Sequence, residues 1–154
     1  MGRNYDRGYY AERLARDRLL HPRGFVTWRA QASKGPFDVY AARHDVLLMI
    51  QVKRTKERIV SQEALTTQCR RDLHGVPEKD KIGLKDIPTP PGVLRQVWLY
   101  TDQSAGKDLA GWRYYAVEGD RLIQIPEPVP GWDRQPQDHR WENLAEGLTG
   151  GGQP

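Results

Sequence analysis

The segment Val46-Leu47-Leu48-Met49-Ile50 is apolar at every position and then turns polar as Gln51-Val52-Lys53. A continuous apolar run bounded by turn residues predicts a central strand, covered by helices on at least one side. Asp38–Arg43 can pair with it as a hairpin turning at His44-Asp45. In that register Arg43 faces Val46 and, counting outward, Asp38 faces Gln51. Residues directly opposite one another on such strands have Cβ atoms roughly 5 Å apart. Lys53, two positions beyond Gln51, leaves the same face. The hairpin thus predicts a carboxylate, an amide oxygen and an ammonium gathered at the polar end of a buried strand. A turn with an odd number of residues would destroy the alignment.

Such a group suits phosphodiester hydrolysis. That chemistry uses a divalent cation to offset charge on the phosphate and to acidify the attacking water. Mg²⁺, for which Mn²⁺ can substitute, takes oxygen ligands, often one or two carboxylates completed by water and substrate phosphate. Asp38 supplies a carboxylate, Gln51 an amide oxygen and Val52 a backbone carbonyl. Lys53 can hold the attacking water or neutralise the transition state. Glu12, on a predicted first helix, can fold over the site as an outer-shell or second-metal carboxylate. Each residue also has a plain reading. Asp38 suits an ordinary turn after Gly35-Pro36, Lys53 a solvated strand end, and Glu12 an exposed ion pair with Arg16 one turn on.

The chain has 154 residues, enough for one domain with a core of its own, expected over residues 1–148 with a disordered tail over 149–154. Its single cysteine, Cys69, excludes an internal disulfide framework. With no apolar run long enough to span a bilayer and a charged N-terminus, the expected location is cytoplasmic. The net charge of +4 is unevenly spread: residues 1–58 hold 13 Lys/Arg and 6 Asp/Glu. A polyanionic partner for the N-terminal half follows from that asymmetry, and a lopsided but inert surface is the alternative.

Periodicity predicts a helix over residues 8–20 with a stripe of Tyr10 and Leu14 joined by Ala11, Ala15 and Leu19, stopped by His21-Pro22. A strand follows over Phe25–Arg29. A second helix is expected over Gln62–Leu73, N-capped by Ser61, with Ala64, Leu65, Gln68 and Cys69 along one side. Gly75–Gly92, rich in Pro, Lys and Asp, reads as a mobile loop. Strands resume over Gln96–Tyr100, Gly111–Val117 and Arg121–Ile125. Prolines at 126, 128, 130 and 136 then discourage regular structure before a weak helix near Arg140–Leu148. The expected fold class is α/β, a mixed central β-sheet flanked by helices. Cys69 reads as a packed small hydrophobe, the scattered histidines lack zinc spacing, and Trp98 and Trp112 read as core or interface. The basic run Lys53-Arg54-Thr55-Lys56-Glu57-Arg58 is assigned to a phosphate backbone, with Arg70 and Arg71 extending it.

Four segments, Gly8-Tyr9-Tyr10-Ala11-Glu12-Arg13-Leu14, Gly24-Phe25-Val26 with Arg29, Ser33-Lys34-Gly35-Pro36-Phe37-Asp38 and Ile50-Gln51-Val52-Lys53-Arg54-Thr55, together resemble the archaeal-type Holliday junction resolvases. Those enzymes belong to the PD-(D/E)XK superfamily of restriction-endonuclease-like nucleases. Gly111-Trp112-Arg113-Tyr114 resembles a late strand of the same family. The resemblance implies an Mg²⁺ site of Glu12, Asp38, Gln51 and Lys53, with Ser33 supporting cleavage. It also implies Arg13 and Arg29 on substrate phosphates, with Lys34 of the same loop added to the DNA-binding set. Family members are homodimers that nick opposite strands of a four-way DNA junction symmetrically. The family usually carries Glu where this chain has Gln51, which keeps an oxygen ligand and removes a charge. Two other readings stand beside the resolvase: a restriction-like or nicking enzyme on linear duplex, and a non-catalytic junction- or DNA-binding protein.

Overall fold

The computed structural model describes residues 9–30, 36–55, 61–101 and 111–133. Ser33, Lys34, Lys56 and Arg58, the helix expected near Arg140–Leu148 and the C-terminal tail lie outside the described residues. Six strands form one mixed sheet: β1 (Val26–Arg29), β2 (Val39–Arg43), β3 (Val46–Thr55), β6 (Val93–Thr101), β7 (Gly111–Glu118) and β8 (Arg121–Ile125), in the order β1-β2-β3-β6-β7-β8. β3 and β6 run parallel, and every other neighbouring pair is antiparallel. The mixed sheet flanked by helices is therefore the expected α/β class. The apolar run lies on β3, interior to the sheet between β2 and β6.

The β2–β3 register is the one expected, with Val39 opposite Ile50, Ala41 opposite Leu48 and Arg43 opposite Val46. The two faces of β3 bury against different helices. Leu48, Ile50 and Val52 join Ala11, Ala15 and Leu20 on one face, whereas Met49 packs with Leu65, Cys69 and Leu73 on the other.

The first helix, α1, is α-helical over residues 9–14 and widens to a π-helix over Ala15–Leu20. It ends at Leu20, as His21-Pro22 predicts: a separate 3₁₀ turn, His21–Arg23, follows with Pro22 near its start, and Gly24 closes that turn at φ 82°. The buried side of α1 is Ala11, Ala15 and Leu20, a rotation from the expected stripe. Tyr10 is 39% exposed, because small alanines let the helix lie close to the sheet and leave the rings at its flank.

The connection from β3 to β6 carries α2 (Gln62–Gln68) and α3 (Arg70–His74). Ser61 caps α2 as expected, its hydroxyl accepting from the Ala64 amide at 3.1 Å. The expected continuous helix breaks at Cys69; Leu65 and Cys69 are buried, whereas Ala64 and Gln68 are exposed.

Residues 75–92, expected as a mobile loop, are folded. They form the two-stranded β4 (Gly75–Val76) and β5 (Lys81–Ile82) and two 3₁₀ turns. Two features explain this. The backbones at Gly75 and Gly83 cross so closely that a Cβ on Gly83 would lie 2.4 Å from the Leu73 carbonyl. Arg95 reaches back from β6 and donates to the carbonyls of Leu84, Lys85 and Ile87, while Leu84 is wholly buried. No helix among the described residues is long and apolar enough to cross a membrane.

Candidate active site

Asp38 sits just before β2, where its amide still donates to the Ile50 carbonyl at 2.8 Å. Its Oδ2 accepts from the Val52 amide at 2.9 Å, so the carboxylate continues the sheet's hydrogen bonding in place of a backbone group. Backbone groups two residues apart on a strand point the same way, so the Val52 carbonyl also faces the Asp38 side. The observed register ends with Val39 opposite Ile50, and the Asp38 amide bonds that same Ile50, so the ladder does not include the Asp38–Gln51 pair that the hairpin count expects. Asp38 sits against Ile50 and Val52 instead.

Alternation places Gln51 and Lys53 on the α2/α3 face, with Met49. There Lys53 Nζ lies 2.6 Å from Asp72 Oδ2 on α3. Sequence reasoning assigned nothing to Asp72. A signal was nonetheless present: Asp72 falls three residues after Cys69 and beside Leu73, on the side of the helix that carries the apolar stripe.

Glu12 is found on the other face. It is 9% exposed, and its Oε2 accepts from Arg29 Nε at 2.5 Å. Arg29 pairs with Val39, whose side chain belongs to the α1 cluster, which explains why the two meet on that side. The ion pair expected with Arg16 does not form; Arg16 donates instead to the Thr27 hydroxyl. Arg13, Arg70 and Arg71 are exposed. Arg54, one residue beyond Lys53, turns to the α1 face, its guanidinium 5.2 Å from the centre of the Tyr10 ring.

The electrostatics converge on Asp38. Burial pushes its carboxyl up from 3.8 to about 6; the Val52 hydrogen bond opposes the rise, Glu12 adds to it, Lys53 opposes it and Asp72 adds to it. The carboxylate is thus flanked by Glu12 from one face and by the Lys53–Asp72 pair from the other. Cys69 lies against the same pair, and burial lifts its thiol to about 11, as expected of a packed small hydrophobe and not of a nucleophile.

Among the described residues, no three His, Cys, Asp or Glu side chains come together as a metal-holding group. The donors present still fit Mg²⁺: a carboxylate, an amide oxygen and a backbone carbonyl, all hard oxygens. A buried carboxyl whose nearest lysine is committed to another acid is also a group that a divalent cation would keep ionised. Adding a charge at position 51 gives a direct check. Gln51→Glu should tighten Mn²⁺ binding by roughly tenfold or more, since like charges placed together strengthen attraction for a cation; titration calorimetry on both proteins reads it. The same substitution should lower stability without metal, because a second carboxylate next to Val52, whose amide holds Asp38, raises the cost of ionising Asp38.

No protein-family model and no curated protein matches the sequence. Among solved structures the chain is similar to Hjc, a Holliday junction resolvase from the archaeal hyperthermophile Archaeoglobus fulgidus. The identity is 21%, covering 75% of this chain and 83% of that chain, with a TM-score of 0.37. A likeness of that degree leaves the functional reading to the site's own geometry.

Proposed function

We propose that this chain is a metal-dependent endodeoxyribonuclease that cuts branched DNA, four-way junctions above all, with paired nicks made by a homodimer. The observation that carries the reading is the Asp38 carboxylate held by the Val52 amide at the polar end of β3, with Lys53 the next residue along that strand. Asp38, Gln51 and the Val52 carbonyl would hold Mg²⁺ or Mn²⁺, and the bound cation would supply charge neutralisation and an acidified water. Lys53 stands beside that group to stabilise charge on the phosphate. Asp72 orients Lys53, and Glu12 orients Arg29 toward the approaching backbone. Ser33, Lys34, Lys56 and Arg58 belong to the proposed site by sequence position.

The junction preference rests on the motif resemblance and on the basic N-terminal half, which suits recognition of backbone and shape rather than base edges. The test is a labelled immobile four-way junction digested beside linear duplex of the same sequence. Nicks at symmetry-related positions on opposing strands of the junction, with the duplex intact, are the expected products. Equal cutting of the duplex would replace this reading with a restriction-like or nicking enzyme.

A further inference from the structure

α1 presents two adjacent tyrosines outward: Tyr9 is 38% exposed and Tyr10 39%. Both rings carry guanidinium groups. Arg29 lies 4.5 Å from the Tyr9 centroid, and Arg13 and Arg54 lie 5.9 Å and 5.2 Å from that of Tyr10. These five side chains come from three elements, α1, β1 and β3, so the fold itself assembles them. Glu12, the carboxylate bonded to this group, is already paired with Arg29. The result is a surface of exposed aromatic rings flanked by guanidinium groups, beside the Glu12 flank of Asp38.

We propose that Tyr9 and Tyr10, with Arg13, Arg29 and Arg54, form a stacking site for an unpaired nucleobase of the DNA strand. Every base offers a π-face to an aromatic ring or a guanidinium plane, and a cationic rim holds the adjoining phosphates. Fully paired duplex hides those faces within its own stack. The site therefore favours bases exposed at a branch or in a single strand. This inference rests on the reading of the chain as a DNA-processing enzyme, and it extends that reading from backbone contacts to base contacts.

The test is binding in EDTA, where nothing is cut. A single-stranded oligodeoxynucleotide carrying 2-aminopurine is titrated with the wild-type protein, with a Tyr9→Leu/Tyr10→Leu double variant and with Tyr10→Phe. Leucine keeps the helix, being a stronger helix former than tyrosine. The wild type should quench the fluorophore by stacking. The double variant should lose the quenching and bind roughly tenfold more weakly or worse, while Tyr10→Phe retains both. Binding to blunt duplex should be unchanged throughout. Equal weakening on single strand and duplex, or no weakening, overturns the proposal. So does a change in the free protein's sedimentation, which would assign the tyrosines to a protein–protein contact. Cleavage plays no part in this readout, so its failure and the failure of the endonuclease reading are separate results.

Discussion

Asp38→Asn should cut DNA at least about a hundredfold more slowly than the wild type, as for loss of a principal electrostatic group, yet resist urea better at pH 8. The two effects share one cause. The Asp38 carboxyl titrates at about 6 in the folded protein against 3.8 as its ordinary value, because burial disfavours the charged form. The folded state therefore holds this proton more tightly than the unfolded chain. Stability from this group is fully present below about pH 4, declines as pH rises through the window, and is lost above about 6. A rise of about two pKa units corresponds to about 3 kcal/mol. Asparagine keeps an oxygen to accept from the Val52 amide and removes the charge, so it relieves that cost at pH 8 and changes little at pH 4. Urea titrations of both proteins at the two pH values measure it. A destabilised Asp38→Asn at pH 8 would mean that the carboxylate is held by partners stronger than those seen.

Lys53→Ala should be comparably damaging to cleavage, roughly a hundredfold or more, but with the opposite effect on stability. Lys53 opposes the upward shift of Asp38 and is bonded to Asp72. Its removal pushes Asp38 higher and leaves a partly buried Asp72 carboxylate without its cation, a loss of about 1–3 kcal/mol. The double variant Lys53→Ala/Asp72→Ala separates the roles. Stability should largely return because no orphan charge remains, whereas activity should not. Recovery of cleavage in the double variant would show that Lys53 only balances Asp72 and takes no part in the chemistry.

Much of this was legible in the sequence because it depends on local pattern. The unbroken apolar run placed β3 in the interior, and the His44-Asp45 turn fixed the register from Arg43–Val46 to Val39–Ile50; at Asp38 the count stops, because its amide bonds Ile50 and its carboxylate Val52. Ser61 announced its helix by its own hydroxyl. The failures came where a distant residue decides. Residues 75–92 look like loop by composition, but Arg95 caps three of their carbonyls and two glycines let the chain cross itself. Glu12 has Arg16 one turn away and bonds Arg29 instead, because β1 lies under α1. Asp72 reads as one more helical charge until α3 is laid on the sheet beside Lys53. The stripe of α1 was misjudged by favouring large rings, where the close approach of helix to sheet selects alanine.

The decisive measurement is strand cutting of a labelled four-way junction as Mg²⁺ is titrated from zero. Paired nicks that are absent in EDTA, appear with Mg²⁺ and vanish again in Asp38→Asn are the expected outcome. A tight protein–junction complex that leaves every strand intact in both Mg²⁺ and Mn²⁺ would refute the catalytic site and leave a protein that holds DNA without cutting it.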